Sequence, residues 1–207
     1  MRPGTLGRCL LGFAALALLC PMAVLAQDNR PRTRVRITGM EFNTIRTPMF
    51  RETTNPKATS EYEWLQVYLE YETEGGRKGW TDEITIEWSL LVLAPSGKPI
   101  LLQETATYLD VENGKHRAAM YVRPGFIRRY GETKRPNKSQ FAFYVEVVAD
   151  GQRVARQEYS KTTLPRNWWR AKEPDVRLFE GELLRPEDTP FAVMDYDFYE
   201  HAKRQRP

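Results

Sequence analysis

The chain has 207 residues, of which 41% are hydrophobic and 28% charged, and its formal net charge is +4. A charge this close to balance gives a whole domain little attraction for the nucleic-acid backbone, so no nucleic-acid partner is expected. Both cysteines, Cys9 and Cys20, lie near the start of the chain. The rest has no disulfide bridge and no thiol nucleophile, and its hydrophobic core must hold it together.

The first 26 residues have the organisation of a secretory signal. Arg2 and Arg8 precede an apolar stretch, and Val24 and Ala26 then supply the small residues of a cleavage site. The pattern predicts cleavage before Gln27. The exported chain is expected in the periplasm, at the cell surface or secreted.

Two alternatives to cleavage are open at this segment. Lipid anchoring would use Cys20, but the bulky Leu19 directly before it argues against a lipoprotein signal. A retained anchor would need about 20 consecutive apolar residues, and Pro21 interrupts the run. We therefore favour cleavage, and no transmembrane segment is expected after the signal is removed.

Apolar and polar residues alternate through most of the chain between residues 33 and 160, which is the signature of β-strands. The Asn113-Gly114 and Asp150-Gly151 pairs predict hairpin turns. Strands are predicted at 33–43, 61–73, 81–93 and 100–109, around 116–122 and 141–147, and at 152–160. Since no convincing helix lies between them, we expect an all-β fold, an immunoglobulin- or fibronectin-like antiparallel β-sandwich of about seven strands with Trp88 in its core.

Two parts of the chain fall outside these strands. Residues 46–60 form a polar excursion between the first two strands, and residues 162–207 form a tail rich in proline and aromatic residues. The predicted domain organisation is a signal peptide at 1–26, a sandwich at 27–161 and an extension at 162–207 that packs on the sandwich. Within this extension, 191–202 is compatible with a short helix and with extended chain.

The sequence does not predict a catalytic residue. The chain has two histidines: His116 falls on the inward face of a predicted strand, and His201 lies in a charged, solvated stretch. The spacing of Asp195, Asp197, Glu200 and His201 matches no established metal motif. No enzyme activity, metal or cofactor is therefore expected.

Trp168 and Trp169 lie side by side at the start of the tail. Their flat rings would suit stacking against sugars, which makes a glycan-binding module the alternative function. The competing interpretation is a clamp that holds the tail on the sandwich. We favour the clamp, because large aromatic side chains contribute mainly through burial.

A basic loop, RPGFIRRYGETKRPNK, spans residues 123–138 and has one acidic residue, Glu132. Such a charge concentration suits an anionic surface, such as a sulfated glycan, lipid head groups or an acidic protein. The alternative is a solvated loop that keeps the protein soluble. Exposure of Phe126 and Ile127 would favour a protein interface. The predicted partner-binding residues are Arg123, Arg128, Arg129, Tyr130, Lys134, Arg135 and Lys138.

The strand WLQVYLEYET and the tail RPEDTPFAVMDYDFYEH, with its Thr-Pro-Phe-Ala tetrapeptide at 189–192, carry a family resemblance. The chain resembles a small family of exported verrucomicrobial proteins that are described as pilus-like and encoded near type IV pilus-like assembly genes. The resemblance implies an immunoglobulin-like fold and other envelope or pilus-like assembly proteins as partners. Since the N-terminal segment of pilins is missing, it implies a non-catalytic accessory component.

Overall fold

The computed structural model describes residues 32–48, 63–95, 97–194, 196–198 and 200–203. The predicted signal segment, most of the predicted excursion and Asp195 lie outside these ranges. The described chain forms nine strands and one α-helix. They are β1 (Arg34–Arg46), β2 (Glu63–Glu74), β3 (Trp80–Val92), β4 (Ile100–Glu112), β5 (Gly114–Val122), α1 (Pro124–Tyr130), β6 (Phe141–Ala149), β7 (Gln152–Ser160), β8 (Arg177–Phe179) and β9 (Leu183–Leu184).

The strands form two sheets that pack face to face. One sheet has the order β1-β2-β5-β9, and the other has the order β7-β6-β3-β4-β8. Neighbours are antiparallel except for the parallel pair β4 and β8. The predicted all-β sandwich is confirmed. The seven expected strands become nine because the tail supplies β8 to one sheet and β9 to the other.

β3 shows how the sequence pattern builds the core. Ile84, Ile86 and Trp88 point inward, and none is more than 1% exposed. They share one apolar cluster with Val67 and Leu69 of the other sheet. Full burial of a side chain of this size contributes about 1.5–3 kcal/mol, which is how a domain without disulfides reaches a stable fold. Trp88 is a core residue, as the sequence predicts.

The predicted hairpin at Asn113-Gly114 is wrong. β4 and β5 belong to different sheets, so this turn carries the chain from one sheet to the other. Thr73 of β2 stabilises the crossing: its hydroxyl donates to the Glu112 carbonyl oxygen at 2.8 Å and accepts from the Gly114 N–H at 3.2 Å. An Asn-Gly pair suits a hairpin and a crossing between sheets equally well, so it does not show which strand β5 pairs with.

The hairpin predicted at Asp150-Gly151 is present. Both residues have left-handed backbone conformations, with φ of 51° and 69°. Two consecutive positive φ angles match the twist of an antiparallel ribbon, and β6 pairs with β7 directly after the turn, from Ala149 and Gln152 onward.

The tail closes one side of the sandwich. β8 pairs with the start of β4, and β9 pairs with the end of β5. Further along, Ala202 bridges to Tyr108 of β4. Between these points Arg185 reaches across to β4, with its Nε 3.0 Å and its Nη2 2.7 Å from Glu104 Oε1, and it also donates to the Thr105 carbonyl oxygen. We call this line of contacts the tail seam.

The tail also covers the outer face of the four-stranded sheet. Phe191 stacks on Tyr121 of β5 with ring centroids 5.1 Å apart, and it meets Trp64 edge-on at 5.5 Å. β5 is therefore buried on both faces near its end, where Ala119 and Tyr121 have no exposure. The helix that the sequence allowed at 191–202 is absent from its described residues, which form turns and a short 3-10 segment at Tyr196–Phe198.

The turn between β2 and β3 gives a stability prediction. At Gly76, φ is +69° and a Cβ atom would lie 2.1 Å from the Trp80 carbonyl oxygen. Since neither backbone segment can yield easily, we expect Gly76→Ala to lower the free energy of unfolding by about 3 kcal/mol. Gly151 has the same φ but open space around it. As the control, Gly151→Ala should cost only about 1 kcal/mol in urea unfolding, and equal losses would contradict the clash.

Candidate docking surface

The predicted basic loop contains a short helix that is anchored in the core. β5 ends at Val122, and Pro124 then begins α1 with the fixed φ that suits a first helical position. Phe126 and Ile127 point into the main core and are 4% and 1% exposed. The two apolar side chains that would have favoured an exposed apolar interface are thus core residues.

The end of α1 is fixed by its backbone. The Gly131 N–H donates to the Ile127 carbonyl oxygen at 2.8 Å, and a Cβ at Gly131 would meet that same oxygen. The chain that follows is tied by local hydrogen bonds: Gln140 Nε2 donates to the Gly131 carbonyl oxygen at 3.2 Å, and the Asn137 side chain accepts from the Ser139 N–H. The loop therefore holds a defined shape over the core.

The cations of this segment lie on its outer side. Arg123, Arg128, Arg129, Lys134, Arg135 and Lys138 are all exposed. Arg123 is bound by both carboxylate oxygens of Glu182, at 2.7 and 2.6 Å. The other five form what we call the basic surface: Arg128, Arg129, Lys134, Arg135 and Lys138.

Tyr130 is held at the base of the basic surface. Its ring lies 4.7 Å from that of Phe126 and 4.9 Å from that of Phe179 in β8. The guanidinium of Arg129 sits over the same ring at 5.1 Å, within the range of a cation–π contact. Tyr130 is half-buried, so it supports the surface and adds a partly exposed aromatic edge to it.

The two adjacent tryptophans have different environments. Trp168 is 3% exposed and packs in an apolar cluster on the outer face of the five-stranded sheet. Its indole N–H donates to Glu158 of β7 at 2.8 Å. Trp169 is half-buried and lies flat on Tyr144, with centroids 3.8 Å apart and an interplanar angle of 3°. Trp168 is thus placed as a clamp, and its ring is not available to a sugar.

A small polar cavity of about 250 Å³ adjoins Trp169. Tyr144 and the buried Glu146 line it, together with Ser89 and Gln103. The Tyr144 hydroxyl donates to Glu146 at 2.9 Å. Burial, together with this bond to a carboxylate, raises the pKa of Tyr144 above its ordinary value. Gln103 also donates to Ser89 and to the Trp169 carbonyl oxygen. The indole N–H groups of Trp88 and Trp169, which line the same cavity, are buried and have no partner among the described residues.

The two histidines meet at the end of the tail seam. Their ring centroids are 6.3 Å apart, and His116 Nε2 lies 2.6 Å from the Glu112 carbonyl oxygen. His116 shares the inward face of β5, as predicted. His201, which the sequence placed in a solvated stretch, is partly exposed and lies beside His116. The bridge between Ala202 and Tyr108 of β4 holds the end of the tail, and the neighbouring His201 side chain, which is 30% exposed, lies against His116. Within the described ranges, no three His, Cys, Asp or Glu side chains are grouped to hold a metal.

These features define a two-sheet β-sandwich protein with a rigid basic surface at one end. A protein-family model matches residues 26–206, so the chain belongs to the family that this model describes. The chain is similar to a crystal structure of an Akkermansia muciniphila protein, with a TM-score of 0.73 and 20% identity. The match covers 86% of this chain and 96% of that one. At 20% identity, the similarity between the two structures shows a shared fold and nothing more.

A search of the curated proteins gave no match. Among the described residues, none of the helices has the length and apolar character needed to cross a membrane.

Proposed function

We propose that this protein is a non-catalytic exported interaction protein, an accessory component of a cell-envelope assembly that docks through the basic surface. Export is supported by the N-terminal signal pattern and by the family match, which begins at residue 26 beside the expected cleavage site. The pilus-like character of the assembly is supported by the sequence resemblance.

One observation carries the docking proposal: the basic surface is built on a segment that the core holds in place. A loop kept only for solubility needs no buried anchor, yet Phe126 and Ile127 fix this segment between the sheets. Cations held in this way lose less conformational freedom on binding than cations on a mobile loop. They also steer an anionic partner to one orientation.

The partner chemistry that this surface suits is an acidic protein face. Five cations and the partly exposed Tyr130 ring occupy one short stretch, which combines charge with an aromatic edge. Arginine and tyrosine are the residue types enriched at protein interfaces, where lysine is depleted. Three of the five cations of the basic surface are arginines, namely Arg128, Arg129 and Arg135, and they are the residues to test first.

The test replaces Arg128, Arg129 and Arg135 together with serine. We expect the variant to bind isolated native cell envelopes about tenfold more weakly than the wild type at low salt. The salt dependence of binding should also fall, because fewer ion contacts form. Cosedimentation at several salt concentrations measures both effects.

The matched control replaces three exposed cations at the opposite end of the sandwich with serine in the same way: Arg77, Lys78 and Lys115. This control loses the same net charge, so it should bind as the wild type does if position matters. Equal weakening in both variants would indicate a general charge effect and would contradict a defined docking surface.

A further inference from the structure

The two sides of the sandwich differ in whether the tail pairs with the edges of the sheets. On one side the tail occupies much of the β4 edge through β8, Arg185 and residues 201–203, and β9 occupies the end of the β5 edge. On the other side, β1 and β7 are the last strands of their sheets, and no described residue pairs with their outer edges. An uncovered edge is a template for another strand.

Both edge strands have a regular stretch beside a side that no described strand occupies: β1 pairs without a shift from Gly39 to Arg46, and β7 from Ala155 to Ser160. We choose β7 because its charges complement one another across a twofold axis. β1 is interrupted by a register shift between Ile37 and Gly39. In β7 the shift comes near its start, where Val148 pairs with Arg153 and Val147 with Ala155. From Ala155 to Ser160 the pairing with β6 is continuous, so this stretch has the straight backbone that strand addition requires.

The sequence of this stretch is complementary to itself in one antiparallel register. With Gln157 at the centre of a twofold axis, Arg156 of one copy lies opposite Glu158 of the second copy. The symmetry repeats this opposite-charge pair, and it places the two Gln157 amides face to face. On the inner face Ala155 lies opposite Tyr159. Centring the axis on Arg156 or Glu158 would instead place like charges together, which is unfavourable.

One of the two charged groups, Glu158, is already oriented by a hydrogen bond. The Glu158 carboxylate is oriented by the Trp168 indole N–H, which uses one of its two oxygens. Arg156 is exposed, and it has no hydrogen bond or ion pair with any residue that the structure describes. The nearby Glu146 is satisfied by Tyr144 and by Arg153. Because Glu158 is already held by the Trp168 indole, its ordering on association costs little, whereas Arg156 becomes ordered only in the pair.

We propose that β7 is a self-association edge: two copies of this chain pair antiparallel through residues 155–159, centred on Gln157, and join their five-stranded sheets into one. An isologous interface of this kind is the commonest form of closed homo-oligomer. The inference goes beyond the basic surface, since it involves a different strand and a different partner.

The test uses the purified protein and two charge reversals, Arg156→Glu and Glu158→Arg. Each reversal places like charges opposite each other twice, so each should raise the dimer dissociation constant about tenfold or more. A mixture of the two variants restores opposite charges at both pairs, and it should form a heterodimer about as tightly as the wild type. Sedimentation velocity over a wide concentration range measures all four samples.

Two controls separate the pairing from loss of structure. Glu158→Gln keeps an acceptor for the Trp168 indole, and Lys115→Glu reverses an exposed charge away from β7. Glu158→Gln should weaken the dimer modestly, and Lys115→Glu should leave it unchanged, with thermal melting showing that each variant is folded. The Arg128, Arg129 and Arg135 serine variant should also dimerise normally, so failure of envelope docking is distinguishable from failure of self-association.

The proposal is overturned by any of three results. The wild type could stay monomeric at every concentration, the single reversals could dimerise as the wild type does, or the mixture could fail to restore association. The last result would mean that the strands pair in another register or that another surface carries the contact.

Discussion

Arg185→Ala is expected to lower the free energy of unfolding by about 3 kcal/mol. The Arg185 side chain is 10% exposed and Glu104 24% exposed, so removing the cation leaves a partly buried carboxylate without its partner. The Thr105 carbonyl oxygen also loses its donor. Because Arg185 directly follows β9, the seam between the sheets loses its central contact. Urea unfolding measures the change.

The matched control is Arg123→Ala. Arg123 also binds a carboxylate, that of Glu182, with both oxygens, but its side chain is 52% exposed. Solvent screens such a pair, so this variant should cost no more than about 1 kcal/mol. If the two variants lose the same stability, the tail seam is not the structural contact that we describe.

Trp168→Ala is expected to cost about 3–4 kcal/mol, as for other buried tryptophans. The ring fills the apolar cluster with Leu91, Leu101 and Ala142, and its loss leaves a cavity beneath the tail. Trp168→Phe keeps most of the apolar contact but removes the hydrogen bond to Glu158. That variant should lose about 1 kcal/mol in addition to a small packing cost.

Trp169 provides the comparison within the same pair. It is half-buried and its main contact is the stack on Tyr144, so Trp169→Ala should cost about 1–2 kcal/mol. A larger loss at Trp169 than at Trp168, in thermal or urea unfolding, would reverse the assignment of the clamp. It would also contradict the packing of the Trp168 ring in the apolar cluster.

The strands of this protein are readable from sequence wherever one face is buried and the other is wet. β2 and β3 show this, since most of their inward residues alternate with polar ones. The exceptions are Trp64, Tyr68 and Leu91, which pack in clusters with residues of the tail. The order of strands in the sheets was not readable, because it depends on contacts between distant residues. At Asn113-Gly114 the turn suits a hairpin, and only the bond from Thr73 and the pairing of β5 with β2 make it a crossing between sheets.

The sequence predicted the charged residues of the basic surface but not the buried residues that anchor it in the core. The basic residues of 123–138 are visible in the sequence, and they are exposed as expected. Phe126 and Ile127 looked like members of a loop because a helix of only seven residues gives too short a pattern to recognise. Pro124, which suits a first helical position, was the only sign of this turn in the sequence. The burial of Phe126 and Ile127 is visible only in the structure.

The tail was the least predictable part. Its strands are three and two residues long, too short for alternation to mark them. They form because β4 and β5 offer free backbone groups at their edges. Arg185 gave no sequence signal, since its partner Glu104 lies far away in the chain and meets it only in the folded sandwich.

Chemical cross-linking of amines in intact native cells tests the docking account most directly. Lys134 and Lys138 lie on the basic surface, and Lys78 and Lys115 lie at the opposite end of the sandwich. The account predicts cross-links from Lys134 or Lys138 to other envelope proteins, reduced in the Arg128, Arg129 and Arg135 serine variant, with few from Lys78 or Lys115. Recovery of this protein without any envelope partner, or cross-links equally spread over all four lysines, would contradict it.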